Sequence, residues 1–345
     1  MKFDVVIGNP PYNDEAKQQI YTDFYLQAMD ISDFVCLIFP IGWQEPKNAN
    51  SLRKLNNEKV KRDKQIVHIN NIQNAFKGVP GAEWTNIILW RNGFDNGLEG
   101  NQLIFTNSQN SEVRKLAINK SEIEKPDYIV RLNDIVSNSK GFQQISEYIS
   151  VLKPYGLRTD ILKDWKKYNL PPLNENQENK DDIKVLTARG VKFVPNNYPF
   201  PQIGKAFNQF KVFVPYAWGN WDEKNGLGGS FADIIIGKPR DVCIETYLEC
   251  GGYDTEEKAF FFAKYLMTQF ARALLYVNKY SQHSTTAFGA IPYQEFKEEW
   301  WNLPIKEINE RLFIKYNVPE KIRLRIIENI QLKDERNIIK MWEME

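Results

Sequence analysis

The run Phe3-Asp4-Val5-Val6-Ile7-Gly8 followed by Asn9-Pro10-Pro11-Tyr12 constrains this chain more than any other stretch. Four apolar residues in so short a span, closed by Gly8, read as a buried β-strand. Two consecutive prolines cannot continue it, because neither has an N–H for a ladder and each fixes φ. The chain must leave the sheet at Asn9 through a stiff loop. The Asn9 side-chain carbonyl and the Pro10 backbone carbonyl are hydrogen-bond acceptors, and Tyr12 offers a flat face for stacking. At the carboxyl end of a strand, such a loop suits the grip of a planar amino group; a proline-rich turn is the plainer alternative.

With 345 residues the chain has room for about two domains. A hydrophobic share of 42% against 26% charged residues reads as soluble and globular. No apolar run approaches the roughly 20 residues needed to span a bilayer, and the start reads as a strand rather than a signal peptide. Cys36, Cys243, Cys250, His68 and His283 are too few and too scattered for a zinc site or a disulfide framework. The expectation is a cytoplasmic, metal-free protein. A net charge of +1 leaves any nucleic-acid contact to a local basic surface.

Strand and helix signals alternate over the first hundred residues or so. Tyr21, Phe24, Tyr25, Ala28 and Met29 recur at helical spacing. Phe34 to Phe39 is a continuous apolar run, as in a strand buried on both faces. A polar helix is expected over Ser51 to Lys64, with further strands at Gln65–Ile69 and Trp84–Trp90. This order predicts a mostly parallel sheet with helices on its faces, and Asn9 would then lie at the strand ends where such sheets bind ligands. A β-rich region is expected over Lys184 to Lys238. Asp254 with Glu257 reads as a capping box for a helix whose stripe is Phe261, Tyr265, Phe270, Leu274 and Val277.

The Asn-Pro-Pro-Tyr loop resembles the signature of S-adenosylmethionine-dependent amino-methyltransferases. Further blocks follow in order: Ile38-Phe39-Pro40-Ile41-Gly42-Trp43, Asn74-Ala75-Phe76-Lys77-Gly78-Val79, and Leu152 to Thr159 (LKPYGLRT). Cys243 to Tyr247, Tyr265 to Arg272, and Lys279 to Thr286 with Phe288 and Pro292 extend the likeness over nearly the whole chain. Together they resemble the TaqI-like, Type IIG-related DNA adenine methyltransferases of restriction-modification systems. The fold this implies is α/β: a partial Rossmann-like methyltransferase sheet, then a mixed α/β DNA-recognition domain. Residues 1–106 would form the C-terminal half of the catalytic domain, 107–160 a connecting segment and 161–345 the target-recognition domain.

The resemblance implies transfer of a methyl group from S-adenosylmethionine to the N6 amine of a flipped adenine in double-stranded DNA. Asn9, Pro10, Pro11 and Tyr12 would be catalytic, and Tyr12 and Phe76 would stack on the base, although Phe76 reads equally well as core. Flipping costs a few kcal/mol, which stacking worth about 1–3 kcal/mol per base offsets. Arg189, Lys192, Lys205, Lys211 and Lys279 are candidates for DNA phosphate contacts. The family also needs a glycine-rich cofactor loop and an acidic ribose ligand, and neither is recognisable before Asn9 or downstream. The chain is therefore expected to be a fragment, a split-gene subunit needing a partner for the cofactor half, or a degenerate relative. Rival readings are a DNA-binding specificity subunit without catalysis, and a methyltransferase acting on protein glutamine or ribosomal RNA.

Several other motifs read as structural. Gly226 to Gly229 fits a hairpin better than a cofactor loop, and Asp241 with Glu245 lacks the lysine of a nuclease site. His283 fits a polar surface loop. Trp218, Trp221, Trp300 and Trp301 fit packing.

Overall fold

The computed structural model describes residues 2–15, 20–40, 43, 63–73, 76, 84–95, 102–107, 113–117, 126–217, 221–222, 226–227, 233–278 and 287–344. They form two compact units, Met1–Lys125 and Pro126–Glu345. Among the described residues no helix is long and apolar enough to cross a membrane.

The first unit is built on a six-stranded sheet. Its strands are β1 (Phe3–Gly8), β2 (Ser32–Pro40), β3 (Ile66–Gln73), β4 (Trp84–Arg91), β5 (Gln102–Asn107) and β6 (Val113–Ala117), in the order β1-β2-β4-β3-β5-β6. Helix α1 (Tyr21–Ile31) joins β1 to β2, which pair in parallel. The sheet is mixed rather than mostly parallel. β3 and β5 are also parallel, but β4 runs antiparallel to both β2 and β3, and β6 antiparallel to β5. The physical reason is the short connection from Gln73 to Trp84. A parallel return needs a crossover of roughly a dozen residues or more, so β4 folds back beside β3 instead. β1, β2, β3 and β5 consequently share one direction, and their carboxyl ends share one end of the sheet.

One face of this sheet carries the core. Tyr21, Tyr25 and Ala28 of α1 pack with Val35, Leu37, Phe39, Ile66, Ile69, Ile88, Trp90 and Trp43, with Val6 and Tyr12 at the margin. The period of two then sends Phe34, Cys36 and Ile38 to the opposite face, where Phe34 is exposed and the other two half-buried. β2 is therefore not buried on both faces. Nor is β1 a buried strand: it lies at the sheet edge, with Val6 half-buried on the core side and Phe3, Val5 and Ile7 exposed. Apolar composition alone does not distinguish a central strand from an edge strand. The helix expected over Ser51 to Lys64 falls almost wholly outside the described residues.

The second unit holds a four-stranded sheet, a three-stranded sheet and a helical layer. β7 (Ile183–Thr187) and β8 (Gly190–Val194) form an antiparallel pair, with β13 (Val242–Cys243) parallel to β7. β9 (Phe210–Pro215) pairs antiparallel with β12 (Ile234–Gly237) and β14 (Tyr247–Tyr253), and β15 (Ile338–Lys340) pairs parallel with β12. β10 (Trp221–Asp222) and β11 (Gly226–Leu227) make a small hairpin, so Gly226 and Leu227 lie in its strand rather than in a turn, while Gly228 and Gly229 fall outside the described residues. Helices α2 (Asp127–Ser137), α3 (Glu256–Met267), α4 (Gln269–Val277), α5 (Ile305–Lys315) and α6 (Glu320–Asn329) contribute to the largest core. Trp301 is fully buried there, stacked on Trp300 with ring centroids 4.2 Å apart.

The helical stripe from Phe261 to Val277 is interrupted. Thr268 is extended at φ −62° and ψ 149°, ending α3 and capping α4 by accepting from the Ala271 N–H at 3.1 Å. The cap of α3 is Thr255, not Asp254: its hydroxyl accepts from the Lys258 N–H at 3.3 Å. Asp254 instead pairs with the Lys258 ammonium, 2.9 Å away.

Candidate active site

β1 ends at Gly8, and Asn9 emerges exposed beside the carboxyl end of β2, since Gly8 is in register with Leu37. A Cβ on Gly8 would sit 3.9 Å from Leu37, an ordinary contact, so this glycine does not cradle a ligand. Pro10 is half-buried and Pro11 exposed. Among the described residues, no backbone N–H donates to the Pro10 carbonyl. The Tyr12 carbonyl accepts from the Ile20 N–H at 3.1 Å, which fastens the far end of the loop to the start of α1.

Tyr12 is half-buried and meets Tyr21 edge-on, with centroids 6.4 Å apart and planes at 82°. Tyr21 stacks on Phe39 at 5.2 Å, and Phe39 contacts Trp43 at 6.5 Å. The loop thus rests on a line of aromatic rings. Burial raises the Tyr12 phenol above its ordinary pKa. The hydroxyl is buried but outside hydrogen-bonding geometry with Asn9 or any other described group. Such an atom costs about 1–3 kcal/mol unless something pairs with it.

Trp43 is fully buried and donates its indole N–H to Asn86 Oδ1 at the start of β4. That bond secures the chain just past the carboxyl end of β2. Phe76, half-buried, follows β3 at the same end of the sheet as Asn9. The fold therefore brings the Asn9–Tyr12 loop, Trp43 and Phe76 to one end of one sheet. Sequence reasoning read Tyr21 only as part of a helical stripe and missed its place beneath Tyr12. The signal was available, because Tyr21 opens the helix that follows the loop.

The residues here suit an amine better than a methyl donor. Asn9 Oδ1 and the Pro10 carbonyl are acceptors, whereas two prolines give no N–H to hold a carboxylate. The two prolines leave the loop short of the backbone donors that the carboxylate of S-adenosylmethionine would need.

The basic candidates of the second unit separate. Arg189 and Lys205 are exposed, Arg189 in the β7–β8 turn. Lys192 is paired with Glu175, its side chain only 14% exposed. Lys211 cannot be a phosphate contact. It is 0% exposed and donates to the carbonyls of Phe207, Lys238 and Asp241 at 3.0, 3.0 and 3.1 Å. It lies in β9 among Val212, Phe213 and Val214, all buried. Lys279 and His283 lie outside the described residues, as does Trp218. Asp241 and Glu245 are not brought together: Asp241 accepts from the Lys238 N–H at 2.8 Å, and Glu245 from the Thr159 N–H at 2.9 Å.

Burial lowers the pKa of Lys211 from 10.5 to about 8. Between these values the unfolded chain binds more protons than the folded one, so folding stability rises with pH from about 8 to about 10.5. The Lys211→Met variant is expected to lack this rise. Urea unfolding of both proteins at pH 7.5 and pH 10 checks it, and parallel curves would refute the assignment.

Residues 1–77 match the Eco57I restriction-modification methylase family. This is the family grouping that the Asn-Pro-Pro-Tyr loop resembles. A curated relative from Mycoplasma pneumoniae, described as an uncharacterized adenine-specific methylase, is 30% identical over 118 residues, covering 31% of this chain and 26% of its own. Among solved structures, the Type IIL restriction-modification enzyme MmeI in complex with DNA is 11% identical, covering 94% of this chain and 53% of its own at a TM-score of 0.41. The type IIG restriction endonuclease BpuSI is 12% identical, covering 92% and 49% at a TM-score of 0.34. Structural likeness at this level does not establish a shared arrangement. The chain spans about a quarter of the curated relative and about half of these enzymes.

Proposed function

We propose that this chain supplies the base-binding half of a DNA adenine-N6 methyltransferase of a restriction-modification system, with S-adenosylmethionine as methyl donor. The observation that carries the reading is the Asn9–Tyr12 loop, stiffened by two prolines and seated on Tyr21, with two acceptors at the end of β1. Asn9 Oδ1 and the Pro10 carbonyl accept the two hydrogens of the adenine amine, which turns its lone pair out of the ring plane. Tyr12 stacks on the flipped base. Phe76 is proposed as a second stacking residue. The chemistry is positioning and charge stabilisation, with no covalent intermediate on the protein.

DNA recognition is assigned to the second unit, with exposed Arg189 and Lys205 bound to phosphates. Duplex affinity should then fall with salt, and the log K against log salt slope should shallow by about 0.9 for each phosphate that a variant no longer neutralises. Arg189→Ala and Lys205→Ala test this by fluorescence anisotropy. Unchanged slopes in both would remove these residues from the interface.

The sequence carries no recognisable glycine-rich loop to hold the methyl donor. Calorimetry of this chain alone should detect no S-adenosylmethionine binding at micromolar concentrations. A micromolar Kd would show that the chain binds its own donor. A specificity subunit without catalysis is the second reading, motivated by the lack of a recognisable glycine-rich cofactor loop in the sequence. Reconstituted activity separates the two.

A further inference from the structure

The described residues of the second unit surround a cavity of about 520 Å³, inside the roughly 300–1,000 Å³ that small-molecule sites occupy. It opens between the carboxyl ends of α2 and α5, against two segments of chain that brace each other. Gln144 bridges antiparallel to Pro292, and the Tyr293 N–H donates to the Gln143 carbonyl at 2.6 Å. Backbone pairing thus holds the cavity open before any ligand arrives.

Three of its walls are aromatic: Phe142, Tyr293 and Tyr316. Two of these rings are held from behind by rings that do not themselves line the cavity. Tyr293 stacks on Tyr148, with centroids 4.5 Å apart and planes at 14°. Tyr316 stacks on the fully buried Phe270 of α4 at 5.1 Å and 24°, and its hydroxyl accepts from Gln294 Nε2 at 2.9 Å. Rings fixed in this way lose little freedom when a planar ligand packs against them.

The charge around the cavity is divided. The Lys315 ammonium is already engaged, 2.8 Å from Gln294 Oε1 and 3.0 Å from Glu298 Oε1. Lys140, exposed beside it, has no ion pair or hydrogen bond for its ammonium among the described residues. The last-turn carbonyls of the two helices carry partial negative charge and favour N–H donors. A planar ring with an amino group and an anionic tail answers all three features, and an amine-bearing nucleotide is such a molecule.

We propose that this cavity binds an amine-bearing nucleotide, its base against Tyr293 and Tyr316 and its phosphate on Lys140. The chemistry is the same for a free nucleoside phosphate and for an unpaired residue of a DNA strand. The site lies wholly in the second unit and does not depend on the reading of the Asn9 loop.

Saturation-transfer NMR and calorimetry on the full chain test it. The probes are adenosine, guanosine and cytidine, their 5′-monophosphates, and a short single-stranded oligodeoxynucleotide of mixed sequence. At least one monophosphate, or the strand, should bind with a Kd of about 1 mM or tighter. Tyr293→Ala should weaken it at least about tenfold by removing a stacking face. Lys140→Ala should bring that monophosphate down to the affinity of its nucleoside, or weaken the strand, and leave nucleoside binding unchanged. Lys140 is exposed and unpaired, so this variant keeps the melting curve of the parent and serves even if Tyr293→Ala does not fold. A strand that binds where no monophosphate does assigns the cavity to DNA, and the reverse assigns it to a free nucleotide. No binding by either class, or binding that Lys140→Ala leaves unchanged, overturns the proposal.

Discussion

Replacing Asn9 by alanine should lower the single-turnover rate of DNA adenine methylation by about a hundredfold or more in the reconstituted complex. The figure follows from deleting one preorganised hydrogen-bonding group at a reacting centre, which typically costs about 10²–10³ in rate. Asn9 is exposed at the end of an edge strand, so its loss leaves the sheet and the melting temperature unaltered. DNA affinity should change little, because the contact proposed for Asn9 is with the flipped base alone. Tyr12→Ala should behave differently, weakening retention of that base by about 1–3 kcal/mol. A fluorescent adenine analogue at the target position would report this as a smaller unstacking signal. An Asn9→Ala enzyme with the normal rate would reduce the loop to a turn.

The second large effect lies in the second unit and concerns stability. Glu249 is buried in β14, where it accepts from the Tyr155 hydroxyl and, at 3.0 Å, from the Ala206 N–H. Burial, with Glu249 beside it, pushes the Tyr155 phenol far above its ordinary pKa, so it stays a donor. Glu249→Ala strands a buried hydroxyl and a buried N–H and opens a cavity. The expected loss is about 3 kcal/mol or more. Tyr155→Phe should cost less, about 1–3 kcal/mol, since the Ala206 N–H still serves the carboxylate. Urea midpoints of the two variants decide this. A smaller loss for Glu249→Ala than for Tyr155→Phe would show that the carboxylate is not the hub.

Glu249 also shows what the sequence conceals. The stretch Leu152 to Thr159 stood out as a motif, and so did Cys243 to Tyr247, but nothing in either revealed that the two interlock. In the fold Glu245 pairs with Lys153 at 3.7 Å and accepts from the Thr159 N–H, while Tyr155 reaches Glu249. Gly156 takes φ +74°, and a Cβ there would lie 2.6 Å from Pro201. Only glycine suits the position, and only the tertiary packing explains why. The strand end at Asn9, by contrast, was legible, because two prolines stop a strand by local chemistry alone.

Lys211 was misread for the converse reason. A lysine beside aromatic and glycine residues looks solvated until the nearby Phe207 carbonyl and those of Lys238 and Asp241, distant in sequence, close around its ammonium. The interruption of the long helix at Thr268 was likewise invisible to a periodicity that continues through it. Edge position was hidden too. Phe3, Val5 and Ile7 have the composition of a buried strand, and the sheet order alone makes them an exposed margin.

If Asn9 and Pro10 grip the amine of a flipped adenine, the product identifies the atom they hold. Methyl-labelled S-adenosylmethionine is incubated with duplex DNA and the reconstituted complex of this chain, and the DNA is then digested to nucleosides. Label is expected in N6-methyl-2′-deoxyadenosine, forming at least about a hundredfold more slowly in a single turnover with Asn9→Ala. Label in cytosine, in protein or in RNA, or equal adenine labelling by the Asn9 variant, would contradict the assignment.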